Sequence, residues 1–426
     1  MASSSDAHLQ GTGPVDPEPA TTPRKRLDSI DLLRGIVMVI MMLDHTRDFV
    51  HSGAFQFDPT DLKQTTIAVF LTRWITHYCA PIFVFLAGTG AYLQFMRGKS
   101  KAHLSKFLLT RGLWLILLEV TLVRFGVFFN LDYRFLGFFQ VIWVIGISMV
   151  ILAGLIHLPL KLIGFFGVAM IFLHNLLDGF HVAGWQGPNS PIPGFGAKLW
   201  ILLHDPFKLF PLLPFSSPVI FVVYNIIPWV GVMAAGYAFG AVYRFEVARR
   251  RRWLLTIGTT ATALFLVLRA INIYGDPARW SGQKNFVFTV LSFINTTKYP
   301  PSLLFLLMTL GPAMLALVLF ESGINLLGAL RKILVTFGRV PLFFYLLQWY
   351  TAHGIGIIIG LIAGQPVAWQ WESPISKFSH PPIPGIGFRL WVVYLCWIAG
   401  VLMLYPLCKW FAGVKARRKD WWLSYL

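Results

Sequence analysis

The chain has 426 residues, of which 56% are hydrophobic and only 13% are charged, and its formal net charge is +18. This composition is typical of an integral membrane protein and not of a soluble domain. The positive charge does not require a nucleic-acid partner, and we predict none, because cytoplasmic loops of membrane proteins are generally rich in Lys and Arg.

The first 26 residues differ from the rest of the chain. Ser, Thr, Pro and Asp dominate this segment, which ends in Arg24, Lys25 and Arg26. Because so few of its residues can contribute to a core, we expect residues 1–26 to be a disordered cytoplasmic tail. Residues 27–426 are expected to form one integral-membrane domain.

Apolar stretches near the ~20 residues needed to cross a bilayer as a helix follow one another along this domain. They predict an all-α, polytopic helical bundle of about ten transmembrane helices. The segment 197–216 is also apolar and is typical of a re-entrant or interfacial helix. The predicted spans are 29–50, 67–96, 104–128, 135–156, 160–177, 218–243, 252–274, 302–322, 339–362 and 388–413.

The basic residues predict the orientation of the bundle. Most loop Lys and Arg residues lie on the side of the N-terminus, including the run from Arg249 to Arg252. The positive-inside rule then places both termini in the cytoplasm. An alternative role of this run is to attract a phosphate-rich ligand such as coenzyme A.

The first predicted span is unusually polar and carries Arg34 and His45 eleven positions apart. Eleven helical residues return to within about 20° of the starting direction and rise roughly 16 Å, so the two side chains share a face. Asp48 lies three positions after His45, and a histidine held by a carboxylate is a minimal general base. We predict His45, Asp48 and Arg34 as catalytic residues; the alternative for Arg34 is an anchoring ion pair with Asp31.

Further ionisable residues gather in the outer half of the predicted membrane region. Ionisable groups at such depth are costly and usually functional. A packed, hydrogen-bonded histidine is the alternative for His77, and also for His174 and His353. The predicted substrate-binding residues are Asp44, Arg73, His77 and Lys298.

The cysteines and the known short motifs indicate no other chemistry. Cys79, Cys396 and Cys408 lie in apolar stretches without disulfide or metal-ligand spacing, so we predict no metal site. The chain also lacks a phosphate-binding Gly-rich loop followed by Lys, a His-Glu-x-x-His helix and a nucleophile elbow.

Several segments resemble the heparan-α-glucosaminide N-acetyltransferase catalytic-domain family. The spacing of Arg34 and His45 is similar to the Arg-x10-His motif of the wider transmembrane acyltransferase superfamily. The resemblance covers residues 26–424. Its segments are Arg-Leu-x-Ser-Ile-Asp-x-Leu-Arg-Gly (26–35) and Pro-Ile-Phe-Val-Phe-Leu-Ala-Gly (81–88), and, as in bacterial members, 298–305, 337–345 and 410–421.

The resemblance implies a ten- or eleven-helix enzyme that moves an acyl group, such as acetyl, from cytosolic acyl-coenzyme A to an amine or hydroxyl across the membrane. The acceptor is typically a sugar or glycan. His45 would be the catalytic histidine, with Arg34 near the coenzyme A entrance. In the lysosomal member the active histidine lies in a longer lumenal segment after the first helix, so His51 is the alternative counterpart. The bacterial likeness implies the inner membrane, and the oligomeric state stays open, a homodimer included.

Two other classes of function remain compatible with the residues. A proton-coupled transporter of a small polar solute also uses intramembrane Asp, His and Arg, but clear inverted repeats are missing. The similarity of Pro191–Trp200 to Pro382–Trp391 does not extend into their flanks. A scaffold or assembly partner would not need so many buried ionisable residues.

Overall fold

The computed structural model describes residues 28–54, 56–213, 218–324, 327–374 and 385–426. The expected disordered tail, residues 1–26, lies outside the described residues. Part of the second Pro-Ile-Pro-Gly segment lies outside them as well, so the predicted likeness of the two loops stays a prediction.

Helices make up most of the described chain. Most of them overlap the predicted spans, and two shorter helices, Phe286–Ile294 and Leu330–Arg339, were not predicted. The helices are α1 (Asp28–Val50), α2 (Ile67–Thr76), α3 (Cys79–Met96), α4 (Lys101–Leu118), α5 (Arg124–Phe128), α6 (Val141–Leu155), α7 (Leu160–Leu173), α8 (Phe195–Leu203), α9 (Ile226–Phe239), α10 (Val247–Ile271), α11 (Phe286–Ile294), α12 (Leu303–Glu321), α13 (Leu330–Arg339), α14 (Pro341–Ile362) and α15 (Leu390–Arg417).

Seven helical segments among the described residues are long and apolar enough to cross a membrane. The prediction of a polytopic, helical membrane protein is therefore confirmed, whereas the number of about ten spans and the location of both termini stay predictions. Helix α1 has 23 residues and is about 34 Å long, but its ionisable residues keep it outside this set. The seven segments are Ile67–Met96, Leu160–Leu177, Ile226–Arg244, Val247–Ile271, Leu303–Glu321, Pro341–Ile362 and Leu390–Arg417.

The all-α prediction is wrong in one respect, because the fold contains a three-stranded sheet. Strand β1 (Phe135–Phe139) pairs in parallel with β3 (Val219–Val222), and β2 (Lys208–Pro211) pairs antiparallel with β3. The predicted spans 135–156 and 218–243 thus begin in strands. Hydropathy did not separate these aromatic and β-branched residues, which favour strands, from the apolar helices that follow them.

Helix α1 packs against α13, α14 and α15, and its contact with α13 is a contact between backbones. A Cβ atom on Gly35 would lie 1.8 Å from the carbonyl oxygen of Leu334, and one on Gly338 would lie 1.7 Å from that of Asp31. Small residues allow such close approach of membrane helices. At its other end α1 is tied to Phe388, which donates to the carbonyl of Val50 at 2.8 Å.

The predicted second span is broken into α2 and α3 at His77 and Tyr78. Pro81 has no N–H and therefore cannot donate to the carbonyl of His77, which ends the continuous helical hydrogen bonding at this point. The break lies at the end of the bundle at which α1 stops, which is the predicted outer end. It is beside this break that the candidate active site lies.

Candidate active site

A cavity of about 1420 Å³ lies at the end of the bundle at which α1 stops, which is the predicted outer end. Its walls come from the last turns of α1, the break between α2 and α3, the loop before α12, and α14. The sequence prediction and the structure agree here, because six of the seven predicted site residues line this one cavity: Asp44, His45, Asp48, Arg73, His77 and Lys298.

Asp44 is the centre of an ion-pair network in the cavity wall. Its carboxylate lies 2.8 Å from a guanidinium nitrogen of Arg47 and also forms an ion pair with Arg73. Arg73 donates in addition to the hydroxyl of Tyr299 at 3.4 Å. One carboxylate thus holds two arginines from different helices, which fixes the outer end of α1 against α2.

The expected contact between Asp48 and His45 is not formed. The carboxylate of Asp48 instead accepts a hydrogen bond from Arg47 at 2.8 Å. A guanidinium binds a carboxylate more strongly than a neutral imidazole does. Asp48 therefore binds Arg47, although the i,i+3 spacing also places it near His45. The prediction that Asp48 positions the His45 ring is therefore wrong for this structure.

His45 is held by stacking rather than by hydrogen bonding. Its ring lies 3.6 Å from that of Trp349, at an interplanar angle of 20°. Nδ1 of His45 is buried and has no hydrogen-bond partner among the described residues. One face of the imidazole is covered by Trp349, and Nδ1 is not committed to any group in the described part of the chain.

His51, the alternative catalytic histidine, lines the same cavity. Its Nδ1 accepts a hydrogen bond from the backbone N–H of Gly53 at 3.1 Å, so in the neutral ring the proton sits on Nε2. Burial, and then the charge of Arg47, lower the pKa of His51 below its usual value. His51 is thus a neutral hydrogen-bond donor, whereas His45 is free to accept.

Lys298 and Tyr299 come from the loop before α12, which Asp276 holds in place. The carboxylate of Asp276 accepts hydrogen bonds from the hydroxyl of Thr297 at 2.8 Å and from that of Ser302 at 2.7 Å. Lys298 is only 8% exposed and has no ion-pair partner among the described residues. Its ammonium group is therefore a buried charge available to a ligand of the cavity.

Sequence reasoning missed Tyr299, although it follows Lys298 directly. Burial alone would raise the pKa of Tyr299, but the charges of Lys298 and Arg73 outweigh burial and lower it. Its ring contacts that of Tyr224 edge to face at 5.3 Å. Trp349 was missed as well, because an aromatic residue inside an apolar span carries no distinguishing signal.

Arg34 is not among the residues that line the cavity. Its guanidinium donates to the carbonyl of Leu86 on α3 at 2.9 Å, well below the histidines along α1.

His353 is a packed, hydrogen-bonded histidine, which was the alternative given for it. Its Nδ1 lies 3.0 Å from the carbonyl of Gly126, and its ring stacks on Phe49. His77 is buried against Phe305, and its Nδ1 has no partner in the described part of the chain.

A buried set of two histidines, a lysine and an arginine-bound carboxylate inside a membrane bundle defines a membrane protein equipped for acid–base chemistry. The sequence profile of one family, heparan-alpha-glucosaminide N-acetyltransferase, catalytic, matches residues 26–274, which is more than half of the chain. The chain belongs to this family, and membership indicates a membrane acetyltransferase. No curated protein matches the chain.

The family match covers the cavity walls formed by α1 and by the break between α2 and α3, but not those formed by the loop before α12 and by α14. It includes Asp44, His45, Arg73 and His77 and ends at residue 274. Lys298 and the helix that carries Trp349 lie beyond it. The similarity of segments 298–305, 337–345 and 410–421 to bacterial members therefore stays a prediction.

Proposed function

We propose that the protein transfers an acetyl or other short acyl group from cytosolic acyl-coenzyme A to an amine or hydroxyl of a sugar or glycan. The acceptor is extracytoplasmic, and the membrane is the inner membrane of a bacterium. The observation that carries the proposal is the convergence on one cavity of His45 and of Lys298, which has no ion-pair partner among the described residues, within a chain of an acetyltransferase family.

The size of the cavity supports a reaction between two substrates. Sites for a single small molecule usually measure about 300–1,000 Å³. The cavity of about 1420 Å³ is larger, so it has room for the acyl end of the donor together with a sugar acceptor. Its polar and aromatic lining suits hydroxyl groups and the faces of sugar rings.

His45 is proposed as the general base. It takes the proton from the acceptor N–H or O–H as the acceptor nitrogen or oxygen attacks the thioester carbon. The carbon–sulfur bond then breaks, and the protonated His45 returns the same proton to the leaving thiolate, which yields free coenzyme A thiol, the acylated acceptor and neutral His45. Lys298 donates hydrogen bonds to the thioester oxygen, which becomes negative in the transition state.

The other predicted residues have positioning and binding roles in this proposal. Asp44 holds Arg73 beside Tyr299, and the polar edge formed by Arg73 and His77 binds the acceptor. Asp48 acts only through Arg47. Arg34 is proposed to contact coenzyme A from the cytoplasmic side, roughly 16 Å below His45 along α1.

The test follows free thiol release by purified protein in detergent, with acetyl-coenzyme A and a panel of amino sugars and glycans. We expect acceptor-dependent release that falls by roughly 10²–10⁴ in H45N. H51N and the control variant H103N, at an exposed residue of α4, should keep most of the activity.

Two results would change the conclusion. If H51N loses the activity and H45N keeps it, His51 is the base. If folded wild-type protein neither binds acetyl-coenzyme A nor releases thiol, but takes up solute in proteoliposomes in response to a proton gradient, the transporter alternative is correct.

A further inference from the structure

Three metal-ligating side chains meet outside the candidate active site. His174 follows α7, Asp178 lies one turn further on, and His204 directly follows α8. Nδ1 of His174 is 3.3 Å from Nε2 of His204, and that Nε2 is 3.8 Å from Oδ1 of Asp178. One ligand atom from each residue lies within 4.8 Å of the other two.

The spacing of the two imidazoles matches a shared metal ion. Two nitrogens bound tetrahedrally to Zn²⁺ at about 2.0–2.1 Å lie roughly 3.3–3.4 Å apart. A hydrogen bond between the rings would favour a shorter distance, about 2.9–3.0 Å. The carboxylate oxygen of Asp178 is 3.8 Å from Nε2 of His204 and has to move closer to complete the set.

The two carboxylate oxygens of Asp178 differ: Oδ2 is hydrogen-bonded, whereas Oδ1 has no hydrogen-bond partner among the described residues. Oδ2 accepts a hydrogen bond from Asn175 at 2.7 Å, which is the outer support that metal-binding carboxylates usually have. Oδ1 is a buried atom without a hydrogen-bond partner among the described residues. His174 and His204 are each only 2% exposed.

We propose that His174, Asp178 and His204 form a Zn²⁺ site, with water in the fourth position. Two imidazole nitrogens and one carboxylate oxygen are a donor set that Zn²⁺ prefers. Asp205, although adjacent to His204, is not a further ligand, because it is engaged with Lys208 and His181. The sequence predicted no metal site because the ligands come from separate elements.

The site lies close to the loop that carries Lys298. The side-chain oxygen of Asn175 accepts a hydrogen bond from the N–H of Leu303 at 2.9 Å, at the start of α12. Phe207, which follows His204 closely, packs its ring against Tyr299 at 5.0 Å. The metal therefore ties α7 to α8 and holds the segments beside Tyr299, and its role is to position the cavity wall rather than to react.

The test measures metal content and affinity in full-length protein purified with a tag that contains no histidine. Elemental analysis should find one Zn²⁺ per wild-type chain, and competition with a chromophoric chelator should give its affinity. D178N, a conservative change that preserves shape, should bind Zn²⁺ more than about tenfold more weakly, and H204A weaker still. H181A, at an exposed histidine nearby, should bind like the wild type.

Replacement by Co²⁺ adds a readout of geometry, since four-coordinate Co²⁺ gives intense visible bands that D178N should lose. Zn²⁺ should also raise the melting temperature of the wild type but not of D178N. The proposal is overturned if the wild type binds no stoichiometric Zn²⁺. It is equally overturned if D178N and H181A bind with wild-type affinity, since Asp178 would then not be a ligand.

Discussion

Replacing Asp44 by Ala removes the carboxylate that holds Arg47 and Arg73 together. Arg47 keeps Asp48 at 2.8 Å, but Arg73 keeps only the neutral hydroxyl of Tyr299 at 3.4 Å. One arginine rather than two thus loses its counter-ion. Breaking a buried pair on one side costs about 3–5 kcal/mol, so D44A should lower the free energy of unfolding by that amount.

The matched control is Asp48→Ala in the same network. The side chain of Asp48 is 31% exposed, and its loss leaves Arg47 bound to Asp44, so the expected cost is only about 0–1 kcal/mol. A double variant, D44A with R73M, removes the uncompensated charge and should recover most of the loss.

The assay is equilibrium unfolding in mixed micelles, followed by tryptophan fluorescence. The difference of about 3 kcal/mol between D44A and D48A corresponds to roughly a hundredfold change in the unfolding equilibrium, which such an experiment resolves. Equal stabilities of D44A and D48A, or a double variant no more stable than D44A, would refute the reasoning from the ion pairs.

Three further predictions follow from the site and the helix contacts. K298M should lower kcat/KM for thiol release by roughly 10²–10³ without a change in melting temperature; unaltered kinetics would remove Lys298 from the mechanism. G338A should destabilise the protein by about 3 kcal/mol or more in thermal unfolding, because its new Cβ meets a backbone oxygen. G354A, with open space around it, should be neutral. Because the pKa of His51 is lowered in the folded protein, stability should fall as the pH drops below about 6.5, and less steeply in H51N.

The convergence of polar residues was predictable from the sequence because it depends on the rise per residue of a helix and on the alternating direction of successive spans. The depth of His45 in α1 and the reversed direction of the next span place Arg73 and His77 at the same level. The approximate positions of the long apolar helices follow from hydropathy, because about 20 consecutive apolar residues are needed to cross a bilayer. The ion pair of Arg47 with Asp44 likewise depends only on the i,i+3 spacing within one helix.

What the sequence left open depends on contacts between distant segments. Nothing in the spacing of α1 indicates that Trp349 covers one face of His45, or that Arg47 rather than His45 binds Asp48. Asp276 orders the loop of Lys298 through hydrogen bonds that only the folded chain brings together. Arg34 shares a helix face with His45, yet the cavity ends before it reaches Arg34.

The two attachments of α1 restrict how the protein can work. Near its start the helix touches α13 through Gly35 and Gly338 without intervening side chains, and at its end Val50 is hydrogen-bonded to Phe388. Rotation or sliding of α1 would break both contacts at once. The histidine at its outer end therefore keeps one orientation towards the membrane. Under the proposed function, an acyl group has to reach this histidine through its own length or through movement of other helices, and not by rocking of α1 between two sides.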